Sequence, residues 1–296
     1  MPVVHQPRPV LDVRAALGES PLWDSRANVL WWVDIPRGEL HRFDPASGED
    51  TVRGFAGPLS AVALRAGGGL LLALGAEVAV FDPEAEEGPA SAPRPLLRLP
   101  MPSPEHRLND GRCDARGRFW VGSMAEDAPG TAALHRLESG PAGTAAVRVL
   151  DGVSISNGLD WSPDGSLAYY ADSPSGEVAV FSCADDGFRR TGTLARFTGC
   201  VPDGLTVDAE GGVWVALYDG HAVHRYLPDG TLDAVVPVPA AMVTSCGFGG
   251  PDLRTLYVTT ASRGLSDAER AEQPLAGALF ACEPGVAGRP AHAFAG

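Results

Sequence analysis

The sequence lacks the marks of a disulfide-bonded, zinc-thiolate or membrane-inserted protein. Its cysteines are odd in number and show no CxxC spacing, so neither a disulfide framework nor a cysteine-ligated metal is predicted. They are Cys113, Cys183, Cys200, Cys246 and Cys282. No run approaches the roughly 18 apolar residues of a membrane span, and residues 1–16 contain no apolar segment of signal-peptide type. We therefore expect a soluble, cytoplasmic protein without a membrane partner.

Basic residues are also scarce. The chain has 23 Lys and Arg against 37 Asp and Glu, which gives a formal net charge of −14. Nucleic acids and anionic membrane surfaces are bound through clustered Lys and Arg, so neither is expected as a partner, whereas a cation site is compatible with this charge. A serine hydrolase is not expected either, because Gly-x-Ser-x-Gly is absent and Ser20 and Ser60 have no His-Asp partners nearby in the sequence.

What the chain does have is a repeated strand–turn–strand pattern. Residues 201–217 combine a polar lead residue, an apolar run, a glycine turn and a second apolar run. Without gaps, the pattern occurs six times, at intervals of about 40 to 50 residues. The lead residues are Glu19, Ser60, Asn109, Asn157, Asp203 and Ser245.

Two further columns of the repeat support this alignment. The turn position, eight residues after the lead, is glycine in four copies, and the position three residues later is apolar in all six. The turn glycines are Gly68, Gly117, Gly165 and Gly211. Strand repeats of this length are typical of β-propellers with one four-stranded blade per repeat. The sequence therefore predicts an all-β, six-bladed propeller that forms a single domain over residues 1–296.

The lead residues predict a metal site. The innermost strands of a propeller surround a central channel, so we expect the lead residues to form a ring there. Oxygen donors such as Glu19, Asn157 and Asp203 suit a hard or borderline divalent cation, and they leave Ca²⁺, Zn²⁺, Mn²⁺ and Mg²⁺ all open. Asp-Gly and Asn-Gly pairs are also common turn formers. Position favours the ring, because Asp203 and Asn157 precede an apolar strand whereas Asp164 and Asp229 follow one.

Several short motifs occur in a fixed order along nearly the whole chain. They include Gly18-Glu19-Ser20-Pro21, Arg107-Leu108-Asn109-Asp110-Gly111, Gly122-Ser123-Met124-Ala125-Glu126, Ile155-Ser156-Asn157-Gly158-Leu159-Asp160-Trp161, Pro202-Asp203-Gly204 and Thr244-Ser245-Cys246-Gly247-Phe248-Gly249-Gly250. Together these motifs resemble the SMP-30/gluconolactonase/luciferin-regenerating-enzyme-like family. The resemblance implies a six-bladed propeller that holds one divalent metal and hydrolyses sugar lactones, such as aldono-1,4- or 1,5-lactones, to the aldonic acid.

The resemblance also implies a set of metal ligands. In the family pattern the metal is held by a Glu, an Asn and an Asp, which fall here on Glu19, Asn157 and Asp203. Asp203 is further implied as the catalytic base that takes a proton from the attacking water. Because it is also a ligand, the cation should weaken its basicity.

Substrate contacts are implied in the third repeat. Arg107 and Asn109 of the Arg-x-Asn-Asp-Gly motif match the family's substrate-binding residues, and both suit sugar hydroxyls. A further contact follows Met-Ala-Glu, where the family pattern has Glu and this chain has Asp127. Glu126 is the alternative for that contact.

Two other functions and one structural question stay open. The propeller can be another metal-dependent esterase, such as a phosphotriesterase, or a non-enzymatic cation-binding protein. We expect a monomer or a weak dimer. An open propeller would expose strand edges, and residues 9–15 form an extended segment that belongs to no repeat. We therefore predict that this N-terminal segment pairs into the sixth blade and closes the ring.

Overall fold

Short apolar strands separated by tight turns give the chain its architecture. The structure, a computed structural model, describes residues 1–85, 92–141, 143–184 and 187–296. In these ranges it contains strands arranged in six sheets, a short α-helix and a 3-10 turn at Ser173–Ser175. None of the helices described is long and apolar enough to cross a membrane. Two strands, β1 (Val3–Val4) and β2 (Arg8–Leu11), precede the first sheet.

The first three sheets each follow one sequence repeat, and consecutive strands pair antiparallel through short turns. The first sheet contains β3 (Gly18–Asp24), β4 (Val29–Asp34), β5 (Glu39–Asp44) and β6 (Glu49–Gly54). The second contains β7 (Leu59–Arg65), β8 (Leu70–Leu74), β9 (Glu77–Phe81) and β10 (Arg94–Arg98). The third contains β11 (Arg107–Cys113), β12 (Phe119–Met124), β13 (Ala132–Gly140) and β14 (Gly143–Val153).

The last three sheets repeat this arrangement. The fourth contains β15 (Ser156–Trp161), β16 (Leu167–Asp172), the 3-10 turn Ser173–Ser175, β17 (Glu177–Ser182) and β18 (Arg189–Arg196). The fifth contains β19 (Val201–Val207), β20 (Val213–Tyr218), β21 (Ala222–Tyr226) and β22 (Leu232–Pro237). The sixth contains β23 (Val243–Gly249), β24 (Thr255–Thr260), the helix α1 (Asp267–Glu272) and β25 (Leu279–Cys282). A capping box between Ser266 and Glu269 begins α1.

The six sheets form a closed ring. Each first strand contacts the first strand of the next sheet, in the order β3, β7, β11, β15, β19, β23 and back to β3. The sheets are therefore the blades of a six-bladed propeller, and the predicted fold class is confirmed. Blades three and six lie on opposite sides of the ring.

Chain termini contribute to several blades. Strand β2 pairs antiparallel with β25 and supplies the outer strand of the sixth blade. Strand β1 adds in parallel to β22, and β26 (Ala293–Phe294) adds in parallel to β7. Between β2 and β3, Ala15 donates its N–H to Gly277 O at 2.9 Å. The N-terminal segment is thus hydrogen-bonded to the sixth blade twice, through β2 and through Ala15, before the chain enters the first blade.

Every inner strand changes its pairing register at or beside its lead residue. The shifts fall between Glu19 and Leu22, Leu59 and Ala61, Leu108 and Gly111, Ser156 and Leu159, Pro202 and Leu205, and Val243 and Ser245. A bulge takes a residue out of the regular ladder and redirects its side chain. The six-fold repeat therefore places one irregular residue per blade around the axis.

Apolar side chains between neighbouring blades form the core. Leu71 and Val78 of the second blade pack with Leu108 and Phe119 of the third, and all four side chains are fully buried. Such packing resists displacement, because interiors of native density have little free volume. The bulged residues are therefore held on a rigid support.

Candidate active site

A cavity of about 400 Å³ opens at one end of the central channel. It is lined by residues at or beside the bulges of four inner strands and by residues that follow the second strands of the blades. The polar and charged lining residues are Glu19, Arg107, Asn109, Glu126, Asn157, Ser173, Asp203, Tyr218 and Arg263. Its volume lies within the roughly 300–1,000 Å³ range of small-molecule sites.

The structure brings together most of the residues predicted from the sequence. Four of the six lead residues line the cavity and are buried: Glu19, Asn109, Asn157 and Asp203. The serines of the ring do not line it. Ser245 instead lines a second, smaller cavity of about 70 Å³ with Asp110 and Arg112, residues further along the inner strand β11.

Glycines that follow two lead residues serve strand packing. Gly158 and Gly204 lie inside β15 and β19, and neither has a positive φ. A Cβ on Gly158 would stand 2.6 Å from Leu205 N, and one on Gly204 would stand 2.1 Å from Ser245 Oγ. These glycines therefore allow neighbouring inner strands to approach closely, which places the ring residues side by side.

Asn157 is oriented by a continuous chain of hydrogen bonds. Its Oδ1 accepts from Asn109 Nδ2 at 2.8 Å, and its Nδ2 donates to Ser173 Oγ at 2.7 Å. Ser173 in turn donates to Pro202 O at 2.7 Å, beside Asp203. With its Nδ2 committed to Ser173, the carboxamide keeps its oxygen turned to the cavity, where a second lone pair is available.

Glu19 and Asp203 form a pair of buried carboxylates. Burial raises the pKa of Glu19 well above its ordinary value, and the charge of Asp203 raises it further. Burial likewise raises the pKa of Asp203, and the charge of Asp110 adds to it. Within the described ranges, neither carboxylate has an Arg or His nitrogen at ion-pair distance. Two desolvated anions without a cation partner are unfavourable, so this pair calls for a positive ligand or a proton.

Arg107 extends into the same cavity. Its Nη1 donates to Asn109 Oδ1 at 2.7 Å and to Leu108 O at 2.9 Å. Burial lowers its pKa to about 10, an effect that the charges of Glu126 and Glu19 oppose. Since Arg107 anchors Asn109, and Asn109 anchors Asn157, the arginine belongs to the same hydrogen-bonded network as the predicted ligands.

Of the two candidates predicted for a substrate contact after Met124, Glu126 and Asp127, only Glu126 lies in the cavity lining. Met124 and Glu126 both line the cavity, whereas Asp127 is not among the described residues that line it. Residues 126 and 127 lie in the turn that follows β12, and of the two only Glu126 lines the cavity. Glu126 also forms an ion pair with Arg263, at 2.9 and 3.1 Å from Nη2 to its two oxygens.

The donor set fits a divalent cation. Glu19 and Asp203 supply two carboxylates without a countercharge, and Asn157 supplies an oriented carboxamide oxygen. In the part of the chain that the structure describes, no group of three or more His, Cys, Asp or Glu could hold a metal. The predicted set contains only two such residues, because its third member is an asparagine.

Comparison with known proteins gives the family. A family model described as SMP-30/Gluconolactonase/LRE-like region matches residues 17–262. The chain belongs to this family. Among curated relatives of this SMP-30/gluconolactonase group, it is 36% identical to 6-deoxy-6-sulfogluconolactonase of Pseudomonas putida, over 99% of this chain and 98% of that one. It is 37% identical to regucalcin of Gallus gallus, over 96% of both chains.

A solved structure of the SMP-30/gluconolactonase group shows the same fold. The calcium-binding protein regucalcin from Agrobacterium tumefaciens matches with a TM-score of 0.90 and 27% identity, over 99% of both chains. The family resemblance seen in the sequence motifs is therefore confirmed, together with the propeller fold.

Several lining residues were not predicted from the sequence, and they share one position. Ile35, Ser173, Tyr218 and Arg263 each lie at or just after the end of a blade's second strand. In an antiparallel hairpin that end lies beside the start of the first strand, where the bulged lead residue is. A search of these four positions in the repeat alignment would have identified them.

Proposed function

We propose that the protein is a divalent-metal-dependent lactonase that hydrolyses sugar lactones, such as gluconolactone, to the aldonic acid. The observation that carries this proposal is the convergence of Glu19, Asn157 and Asp203 with Arg107 and Asn109 in one cavity. Relatives at this level of similarity named for lactonase activity support the reaction class. The substrate partner is then a small neutral or anionic sugar lactone.

Glu19, Asn157 and Asp203 would hold the metal, and Ca²⁺, Zn²⁺, Mn²⁺ and Mg²⁺ all accept oxygen ligands. A divalent cation in this position supplies Lewis-acid polarisation of the ester carbonyl and lowers the pKa of water. The calcium-binding description of the regucalcin structure supports a cation here. The hydrogen bond from Asn157 to Ser173 fixes the neutral ligand before the cation arrives.

Asp203 has two proposed roles, ligand and general base. Its carboxylate is buried, and burial and the charge of Asp110 raise its pKa in the metal-free protein, whereas a bound cation would lower it again. One oxygen of the carboxylate can serve as a ligand while the other accepts the proton of the attacking water. The proton then passes to the alcohol oxygen released as the ring opens.

Arg107, Asn109 and Glu126 are the proposed substrate contacts. Arg107 uses only Nη1 in its contacts with described residues, so Nε and Nη2 can donate to sugar hydroxyls. Glu126 accepts from hydroxyls through oxygens that now face Arg263. Asp127, the other sequence candidate, lacks a place in the cavity lining.

A panel of glucono-, galactono-, xylono- and arabinonolactones tests the proposal. Acid release is measured with each metal added to metal-free protein, against a control with metal alone. We expect turnover that requires both protein and metal. If no lactone is hydrolysed faster than in the metal-only control, the lactonase proposal fails and a non-enzymatic cation-binding propeller becomes the better interpretation.

A further inference from the structure

Arg263 is a fixed cation at the mouth of the cavity. Its backbone N–H donates to Ala16 O at 2.9 Å, and the preceding Ser262 donates its hydroxyl to Ala15 O at 2.8 Å. The segment that joins the N-terminal strand to the first blade therefore holds the base of this side chain. The Arg263 side chain is 48% exposed, whereas Glu19 and Asp203 are each 6% exposed. Arg263 thus lies between the buried carboxylates and solvent.

The contact made by Arg263 spans the cavity. Arg263 follows β24 in the sixth blade, and its partner Glu126 follows β12 in the third, on the opposite side of the ring. The Glu126 side chain is 54% exposed. The ion pair therefore lies in a region of high dielectric constant and contributes little to stability. An ion pair of this kind exchanges readily with a competing anion.

Arg107 is a second cation in the same cavity. No carboxylate lies within ion-pair distance of it in the described ranges, and burial lowers the pKa of its guanidinium to about 10, a shift that the charge of Glu126 opposes. With Glu19 and Asp203 balanced by a divalent cation, the remaining charges of the lining are Arg107, Arg263 and Glu126. Among the lining residues this leaves one positive charge in excess, carried by the two arginines, which favours a ligand with a negative charge.

We propose that Arg263 and Arg107 form an anion-binding subsite, and that the preferred substrates are sugar lactones with an anionic substituent remote from the lactone carbonyl. This inference rests on the proposed lactonase function. The reacting carbonyl lies deep, beside Glu19 and Asp203, so the far end of the sugar extends toward the half-exposed Arg263. A sulfonate, phosphate or carboxylate at that end replaces Glu126 on the guanidinium and accepts charge-assisted hydrogen bonds.

Substitution of Arg263 tests the subsite. The ratio of kcat/KM for a 6-sulfo, 6-phospho or 6-carboxylate lactone to that for neutral gluconolactone is measured in wild type, Arg263→Gln and Arg263→Glu. We expect the ratio to exceed one in wild type and to fall about 10- to 100-fold in Arg263→Gln, the size of one lost charge-assisted contact. The fall should be larger in Arg263→Glu. The three anionic groups identify which acid the subsite prefers.

Arg148→Gln is the matched control. Arg148 is also 48% exposed and also pairs with a carboxylate at 2.9 Å, but it lies on the outer strand β14. Its substitution removes the same surface charge and should leave the ratio unchanged. A ratio that stays the same in Arg263→Gln overturns the inference. If Arg263→Gln accelerates the hydrolysis of all lactones equally, the inference is also overturned, because the ion pair would then only restrict access to the cavity.

A binding experiment separates failure of the subsite from failure of the lactonase proposal. Glucitol 6-phosphate and glucitol lack the ester, so their binding by calorimetry in calcium-containing buffer does not depend on turnover. We expect the phosphate to bind at least about 10-fold more tightly than glucitol in wild type, and this preference to be lost in Arg263→Gln. Equal binding of both compounds by wild type contradicts the subsite, whatever the lactone assays show.

Discussion

Substitution of Asp203 by Asn should have opposite effects on the metal-free and the metal-bound protein. The side chain keeps its size, but the buried pair with Glu19 loses one negative charge. In the metal-free protein this removes a repulsion that raises the pKa of Glu19, so the variant should be more stable than wild type. In the presence of metal the variant lacks a charged ligand, so the stabilisation by metal should disappear.

The magnitude of both effects follows from burial and charge. Each unit by which a folded-state carboxyl pKa is raised costs about 1.4 kcal/mol at a pH above that pKa. Relief of part of this cost for two carboxyls gives about 1–3 kcal/mol, or a rise of about 2–6 °C in the Tm of the metal-free protein. Metal at 100 times its Kd should stabilise wild type by about 2.7 kcal/mol, or about 5 °C.

Thermal melting with and without added metal measures both effects. Wild type, Asp203→Asn and the control Glu126→Gln are melted after chelation and again with each divalent cation in excess. Glu126 lines the same cavity and loses the same charge, but it belongs outside the predicted ligand set. We expect Glu126→Gln to keep the metal-induced shift of wild type.

Two results would refute the reasoning. A metal-induced shift in Asp203→Asn equal to that of wild type would show that the cation is bound elsewhere. A metal-free Asp203→Asn protein that melts below wild type would show that the two carboxylates do not repel each other in the folded state. Isothermal titration with the same cations would then show whether the metal affinity has changed. If it has not, the difference in melting comes from the stability of the metal-free protein.

Three further predictions follow from the same network and from the closure of the ring. Ser173→Ala should weaken metal affinity by about 10-fold, because it frees the ligand carboxamide to rotate; an unchanged titration would contradict this. The metal-free protein should lose stability as the pH rises above about 4 through the raised pKa values of Glu19 and Asp203, since the folded carboxyls keep their protons longer than the unfolded ones; melting from pH 4 to 8 should show this fall, and excess metal should flatten it. Deletion of residues 1–16 should lower the Tm by at least about 5 °C, because the sixth blade loses its outer strand; deletion of residues 1–6 is the control, and similar melting of both truncated proteins would be the contrary result.

The turns and the ring show how far the sequence could predict the fold. All four predicted turn glycines adopt a positive φ, between 70° and 92°. In the two repeats without glycine the aligned turn residues are Ala27 and Leu253. Leu253 takes that conformation with a φ of 57°, whereas in the first repeat Asn28, one residue after Ala27, takes it with a φ of 54°. Asn does so with little strain, but Leu rarely does, so the sixth turn was visible only through its alignment with the others. Repetition thus supplied information that single-residue preferences lacked.

Which of the six lead residues reach the cavity could not be predicted in the same way. The alignment treats the six lead residues as equivalent, yet Ser60 and Ser245 do not line the cavity. Their short side chains bond locally or face the second cavity: Ser60 Oγ donates to Ala73 O, and Ser245 lies against Gly204. Side chains at equivalent backbone positions therefore differ in whether they reach the cavity. This depends on the length of the side chain and on the neighbouring strand.

The contact between Glu126 and Arg263 marks the limit of reasoning from sequence. The two residues are 137 positions apart, and no motif contains Arg263. They meet because an even number of blades places the third opposite the sixth, and because both follow a second strand at the end where the lead residues lie. Such loop positions are free of the packing that fixes the inner strands. Under the proposed lactonase function, the ring would keep one metal-ligand set while these loops determine which lactone is accepted, and Arg263 is the loop residue whose charge would change that choice.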